Sequence, residues 1–169
     1  MTMELAYEHH GQRISRAQFY AIACDPARSV AVEACAGAGK TWMLVSRMLR
    51  ALLAGAQPHE ILAITFTRKA AGEMRQRLQQ WLEQMAKATP QTLAYELQIR
   101  GVPPEEVAGM CVPLAGLYAR LLECSRPVQV RTFHSWFAAL LRNAPLAVLQ
   151  QLGLPSAYEL LEDDQQAVD

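Results

Sequence analysis

Apolar positions along this chain change their spacing several times, and each change predicts a different element. Residues 29–35 (SVAVEAC) form a short apolar run with β-branched Val30 and Val32, which predicts a buried strand. From Thr41 to Leu53 the apolar residues Leu44, Val45, Met48, Leu49 and Leu52 recur at helical spacing, and Gly55 and Pro58 end the run. Residues 61–66 (ILAITF) predict a second strand. Residues 70–88 predict a second helix, with Met74, Leu78, Trp81, Leu82 and Met85 on one side. Strand, helix, strand, helix predicts a parallel sheet with covering helices.

Residues 89–125 leave that rhythm. Pro90, Gly101, Pro103, Pro104 and Pro113 divide the stretch, which predicts helical pieces joined by turns, packed beside the sheet. Pro104-Glu105-Glu106 is a helix start, because proline tolerates the first helical turn and acids favour it. Residues 127–133 (PVQVRTF) return to strand character. Residues 134–142 predict a helix with Trp136, Phe137, Leu140 and Leu141 as its stripe, and Pro145 and Gly153-Leu154-Pro155 mark loops.

Composition narrows the class. The 169 residues suffice for one domain with a core, and 51% hydrophobic against 19% charged residues is a globular balance. The net charge of +0 conceals an uneven distribution. Between Thr65 and Lys87 five bases (Arg68, Lys69, Arg75, Arg77, Lys87) face two acids, whereas residues 159–169 carry five acids and no base. Cys24, Cys35, Cys111 and Cys124 have neither C-x-x-C spacing nor a histidine pair, so neither a metal site nor a disulfide framework is expected. No apolar run reaches the roughly 18 residues of a membrane span, and the polar N-terminus is not a signal peptide. The expected location is cytoplasmic.

The chemistry concentrates at residues 34–41, A-C-A-G-A-G-K-T, set between the predicted strand and helix. This follows the phosphate-loop pattern G-x-x-x-x-G-K-[ST], with Ala34 at the first glycine position. Glycines at 37 and 39 let the backbone turn its N–H groups toward phosphate oxygens, and the following helix adds its positive end. Lys40 reaches β- and γ-phosphates and the Thr41 hydroxyl binds Mg²⁺. Ala36, Gly37, Ala38, Gly39, Lys40 and Thr41 are therefore the candidate ATP-binding set, with Lys40 and Thr41 the candidate catalytic pair and Thr41 the candidate metal ligand. Cys35, inside the loop, is a candidate for modification.

Three further segments resemble the UvrD-like superfamily-one DNA helicases. Residues 14–18 (ISRAQ) resemble the Q motif, which implies that Gln18 reads the adenine edge. Residues 64–74 (ITFTRKAAGEM) resemble motif Ia, T-F-T-x-K-A-A-x-E-M, which lines the single-stranded DNA groove. The residue types suit that role: Thr65 and Thr67 offer hydroxyls to phosphates, Phe66 offers a ring to a base, and Arg68 and Lys69 offer charge. Residues 130–136 (VRTFHSW) resemble the T-F-H-S motif, which implies DNA contact by Thr132, His134 and Ser135. The helical residues between these motifs resemble the AddA-like and RecB-like helicase-nuclease branch (exodeoxyribonuclease V beta).

The resemblance implies an α/β fold: a P-loop NTPase (RecA-like) lobe made of 1–88 and 126–145, a helical insertion at 89–125, and the start of a following segment at 146–169. It also implies an incomplete lobe. No apolar strand ending Asp-Glu is present to supply the Mg²⁺-side carboxylates, and Glu162-Asp163-Asp164 reads as a solvated acidic segment. The expected function is the ATP-binding, DNA-contacting front of a 3′–5′ helicase or helicase-nuclease of recombination and repair, working with partner subunits and without turnover in this chain alone. A stand-alone, non-catalytic nucleotide- or DNA-binding module is the alternative. A small phosphoryl-transfer enzyme is a third reading, which leaves the other two motifs unexplained.

Overall fold

The computed structural model describes residues 6–154. The acidic segment at 159–169, with Glu162-Asp163-Asp164, lies outside the described residues.

The chain opens with a hairpin of β1 (Tyr7–His9) and β2 (Gln12–Ile14), paired Tyr7 to Ile14 and His9 to Gln12. Its two-residue turn puts both His10 (φ 51°) and Gly11 (φ 77°) in the left-handed region, the geometry that matches the strand twist. Ser15 then starts α1 (Arg16–Ala23) through a capping box with Gln18. Helix α2 (Lys40–Leu53) follows the 34–39 loop. A 3₁₀ turn at Pro58–Glu60 leads into β3 (Leu62–Thr65), and Thr67 caps α3 (Arg68–Met85). The segment 89–125 forms α4 (Pro90–Gln98), capped by Thr89, and α5 (Pro104–Glu123). Then come β4 (Gln129–Thr132), α6 (Phe133–Arg142) capped by Thr132, and α7 (Leu146–Gln151).

Strands β3 and β4 are neighbours and parallel, with Leu62 beside Gln129 and Thr65 beside Thr132. Parallel strands need a long crossover, which α3, α4 and α5 provide here. The main core lies among the helices. Val45, Met48, Leu49 and Leu52 of α2 meet Met74, Leu78, Leu82 and Met85 of α3, and Leu93, Leu97, Leu114 and Leu117 of α4 and α5 close it. Each such side chain contributes roughly 1.5–3 kcal/mol of burial, which makes α2 the central element of the packing. A smaller cluster of Tyr20, Ala23, Cys24 and Met43 joins α1 to α2.

Four expectations change. The buried strand predicted at 29–35 does not form: the segment pairs with no strand among the described residues, and Val30 is 37% exposed. A β-strand needs a neighbour to satisfy its N–H and C=O groups, and the β3–β4 pair does not reach this one. Leu44 faces outward at 37% exposure, because α2 buries the stripe formed by Val45, Met48, Leu49 and Leu52. The stripe of α6 stays open, with Phe137 and Leu140 both more than two-fifths exposed and no residue of the helix buried. Pro113 does not break its segment, since α5 runs through it. Proline costs a helix interior about 3 kcal/mol, and burial of Val107, Leu114 and Leu117 along α5 offsets that.

Cys24 has no exposed surface, and its thiol donates toward the Met43 carbonyl at 3.8 Å. Burial pushes its pKa up to about 11, while the Arg50, Arg100 and Arg47 charges pull the other way. A raised pKa means the unfolded chain gives up this proton first. The contribution is present below pH 9 and is lost as the pH climbs toward 11. Urea melts from pH 8 to 11 are expected to show wild type losing stability faster than Cys24→Ala. Parallel curves would contradict the assignment.

Candidate functional site

The glycines of the 34–41 loop set its turn. Gly37 (φ 78°) and Gly39 (φ 82°) occupy the left-handed region, where an L side chain is strained, so the turn depends on glycine at both positions. Gly39 is also the N-cap of α2 and offers no side chain to its first N–H groups. Those donors remain for an external acceptor, and the helix dipole favours an anion there. The Lys40 ammonium folds back across the loop, donating to the Ala34 carbonyl at 2.9 Å and to the Cys35 carbonyl. Two of its three donors hold the loop closed and one is left over. Residues 35–40 are exposed, and Thr41 is half-buried at the start of the helix.

Arginines on α2 organise the approach to the loop. Arg47 donates to the carbonyls of Ala23 (3.1 Å), Asp25 (2.6 Å) and Arg28, and so pins the turn that leaves α1. Arg28 in turn pairs with Asp25 at 3.2 Å. Gln18 sits on the exposed side of α1, and its Oε1 accepts from the Ser15 N–H (2.9 Å) and hydroxyl (3.0 Å). The amide nitrogen is therefore the part of Gln18 available to a base. The double use is legible in the sequence as Ser15-x-x-Gln18, a capping-box signature.

The remaining candidate residues gather at one end of the sheet. Because β3 and β4 are parallel and Thr65 aligns with Thr132, the chain leaves both strands at the same edge. Residues 66–69 and 133–135 follow side by side. Phe66 stands 89% exposed, as large an apolar commitment to solvent as any on the described surface. Thr67 Oγ1 accepts from the Ala70 N–H at 3.1 Å, and Thr132 Oγ1 accepts from the Ser135 N–H at 3.2 Å. Both hydroxyls cap helices and keep their own hydrogens for donation. Ser135 Oγ donates to the Thr132 carbonyl at 2.9 Å, while Lys69 and His134 are exposed. A cleft of about 970 Å³ adjoins this edge between α3, α5 and β4. Arg68, Arg75, Arg126 and Arg131 line it together with Thr132 and Ser135. Four arginines beside two threonine-capped helix starts suit a phosphate backbone.

Sequence reasoning missed the aromatic link between the two regions. Tyr20 packs edge-on against Trp42 (centroids 4.8 Å), and Trp42 packs edge-on against Trp81 (5.7 Å). The Tyr20 hydroxyl lies 3.9 Å from where a Cβ on Gly39 would stand. Burial pushes the Tyr20 pKa up, reinforced by a hydrogen bond with Tyr7 and partly countered by Arg16. The spacing of Tyr20, Trp42 and Trp81, one per helix, carries no local signal.

The described residues thus form a mixed α/β unit in which a glycine-rich loop enters a helix and two parallel strand ends present hydroxyls, arginines and a bare phenyl ring. The family model for the UvrD/REP helicase N-terminal domain matches residues 14–167, and the chain belongs to that family. Its relatives include an ATP-dependent helicase/nuclease subunit from Desulforudis audaxviator (strain MP104C), 33% identical over 75% of this chain and 10% of that protein. The protein of the same name from Lysinibacillus sphaericus (strain C3-41) is 29% identical over 79% of this chain and 11% of its own length. That from Lactobacillus helveticus (strain DPC 4571) is 47% identical over 37% and 5% respectively. The chain thus spans from 5% to 11% of the length of these relatives. No helix among the described residues is long and apolar enough to cross a membrane.

Proposed function

We propose that this chain is the ATP-binding and single-stranded-DNA-contacting N-terminal lobe of an ATP-dependent 3′–5′ DNA helicase or helicase-nuclease that acts in recombination or repair. The observation that carries the DNA half is the parallel register of Thr65 with Thr132, which sets two segments rich in phosphate donors side by side. The uncapped start of α2 behind Gly37 and Gly39 carries the nucleotide half. In this reading 1–88 and 126–145 form a RecA-like lobe, 89–125 is a helical insertion, and 146–169 begins the next segment. The site belongs to the cytoplasm and works beside other subunits of a helicase-nuclease.

The donor set fits a Mg²⁺–nucleotide. Backbone N–H groups of Ala36 to Lys40 would hold the phosphates, and Gln18 would donate its amide N–H to adenine. Thr41 would hold Mg²⁺, which supplies charge neutralisation between the terminal phosphates when bound. Lys40 exchanges a loop carbonyl for a phosphate oxygen, trading a neutral acceptor for a charged one and strengthening the bond. On the DNA side, Thr65, Thr67 and Thr132 donate to phosphates, and Ser135 joins them by exchanging the Thr132 carbonyl for a phosphate oxygen. Arg68, Lys69 and His134 add charge or donors, and Phe66 stacks on a base. Such stacking contributes about 1–3 kcal/mol per base and is blind to sequence. Hydrolysis needs carboxylates that position Mg²⁺ and water, and the sequence has no apolar strand ending Asp-Glu, so turnover by these 169 residues stays negligible.

Titration with a fluorescent ATP analogue and Mg²⁺ tests the nucleotide half. Wild type is expected to bind, and Lys40→Ala to bind roughly ten- to a hundredfold more weakly, the effect of losing one hydrogen bond to a charged group. Equal affinities would overturn the nucleotide reading, whereas a per-second hydrolysis rate abolished by Lys40→Ala would overturn only the expectation of negligible turnover. Cys35 gives an independent readout, because its thiol is exposed within the loop. Its alkylation is expected to slow when nucleotide is bound, and unchanged rates would place the nucleotide elsewhere.

A further inference from the structure

The one buried ionic side chain among the described residues belongs to neither the loop nor the DNA edge. Arg100 is 1% exposed, in the turn between α4 and α5, and its guanidinium carbon lies 5.0 Å from the Trp42 ring centre and 4.3 Å from that of Trp81. It pairs with Glu96, donates to the Glu96 carbonyl at 2.8 Å, and leaves its Nε without a hydrogen-bond partner. Burial pulls its pKa down and Glu96 pushes it back. Burying a charge with one donor unmet is costly, so the two indole faces supply much of what water would have supplied.

The backbone around Arg100 is locked as tightly. Arg50 of α2 donates to the carbonyls of Arg100 (3.3 Å) and Gly101 (3.2 Å). Gly101 (φ 76°) presses on α1 so closely that a Cβ there would lie 2.3 Å from the Ala21 nitrogen. One turn therefore touches the helix of Gln18, the helix of Lys40 and Thr41, and, through Trp81, the helix that starts at Arg68. Trp42 directly follows Thr41 in the chain.

We propose that Arg100 is a positioning residue of the nucleotide site. It holds the Trp42 ring between itself and Tyr20, and so fixes the first turn of α2, with Lys40 and Thr41, at a set distance from Gln18 on α1. The assignment rests on the nucleotide reading above. It gives residues 89–125 a role at the nucleotide site that their position in the sequence does not suggest. A lysine at 100 keeps the charge and the Glu96 pair but lacks the planar face that stacks on indole.

The test uses the full 169-residue chain, a fluorescent ATP analogue with Mg²⁺, and temperatures at which circular dichroism shows each variant folded. Arg100→Met is expected to weaken binding about tenfold and Arg100→Lys by a smaller factor, as expected when a desolvated cation–π contact is lost. Leu114→Ala, in the main core cluster to which Trp42 does not belong, lowers the melting temperature while leaving nucleotide affinity at the wild-type value. Near-UV dichroism of the tryptophans is expected to respond to nucleotide in wild type and not in Arg100→Met. If Arg100→Met does not fold, Arg100→Lys carries the comparison. Wild-type affinity in the arginine variants, or a loss in Leu114→Ala matching theirs, would overturn the positioning role alone. Failure of wild type itself to bind the analogue would overturn the nucleotide reading and this assignment with it.

Discussion

Two parallel strands cannot be joined by a tight turn, and that constraint shapes most of this molecule. To bring Thr132 beside Thr65 the chain must return to the starting end of the sheet, which takes residues 66–128. Three helices fill that return, and they supply most of the partners against which α2 buries its apolar face. The same geometry delivers both strand ends to one edge, so residues 66–69 and 133–135 are adjacent because the crossover is long.

Helix α2 joins this scaffold to the glycine loop. Its apolar stripe fixes its axis in the core, while two arginines and a tryptophan anchor it to other segments. Arg47 ties down the turn after α1, Arg50 holds the turn between α4 and α5, and Trp42 meets Arg100. The loop can then remain exposed and glycine-rich, since its orientation is set by the helix that follows it. Lys40 closes the loop on its own carbonyls, a contact that a stronger acceptor can replace.

Local signals in the sequence located α2, β3, α3, β4 and α6 because each shows a run of one period bounded by turn residues or a cap. Pattern alone overstated residues 29–35. Apolar alternation shows what a segment could bury, whereas a strand also requires a partner with free N–H and C=O groups. It understated α5, where proline was read as a break although burial on both sides carries the helix through. The β1–β2 hairpin was missed because His10-Gly11 stands where Asn-Gly or Asp-Gly is the usual sign. At the candidate site the loop residues and the two threonine-capped segments were legible as motifs. Arg100 was not, because a buried cation between two indoles is a contact among distant positions and leaves no trace in spacing.

Hydrogen exchange of the 169-residue chain with and without a single-stranded oligonucleotide of thymidines tests the central claim most directly. Amides of residues 65–69 and 132–135 are predicted to gain protection together, with the effect shrinking as salt is raised. Protection of one segment without the other, or of neither at oligonucleotide concentrations that saturate binding, would contradict the account of a shared DNA-contacting edge.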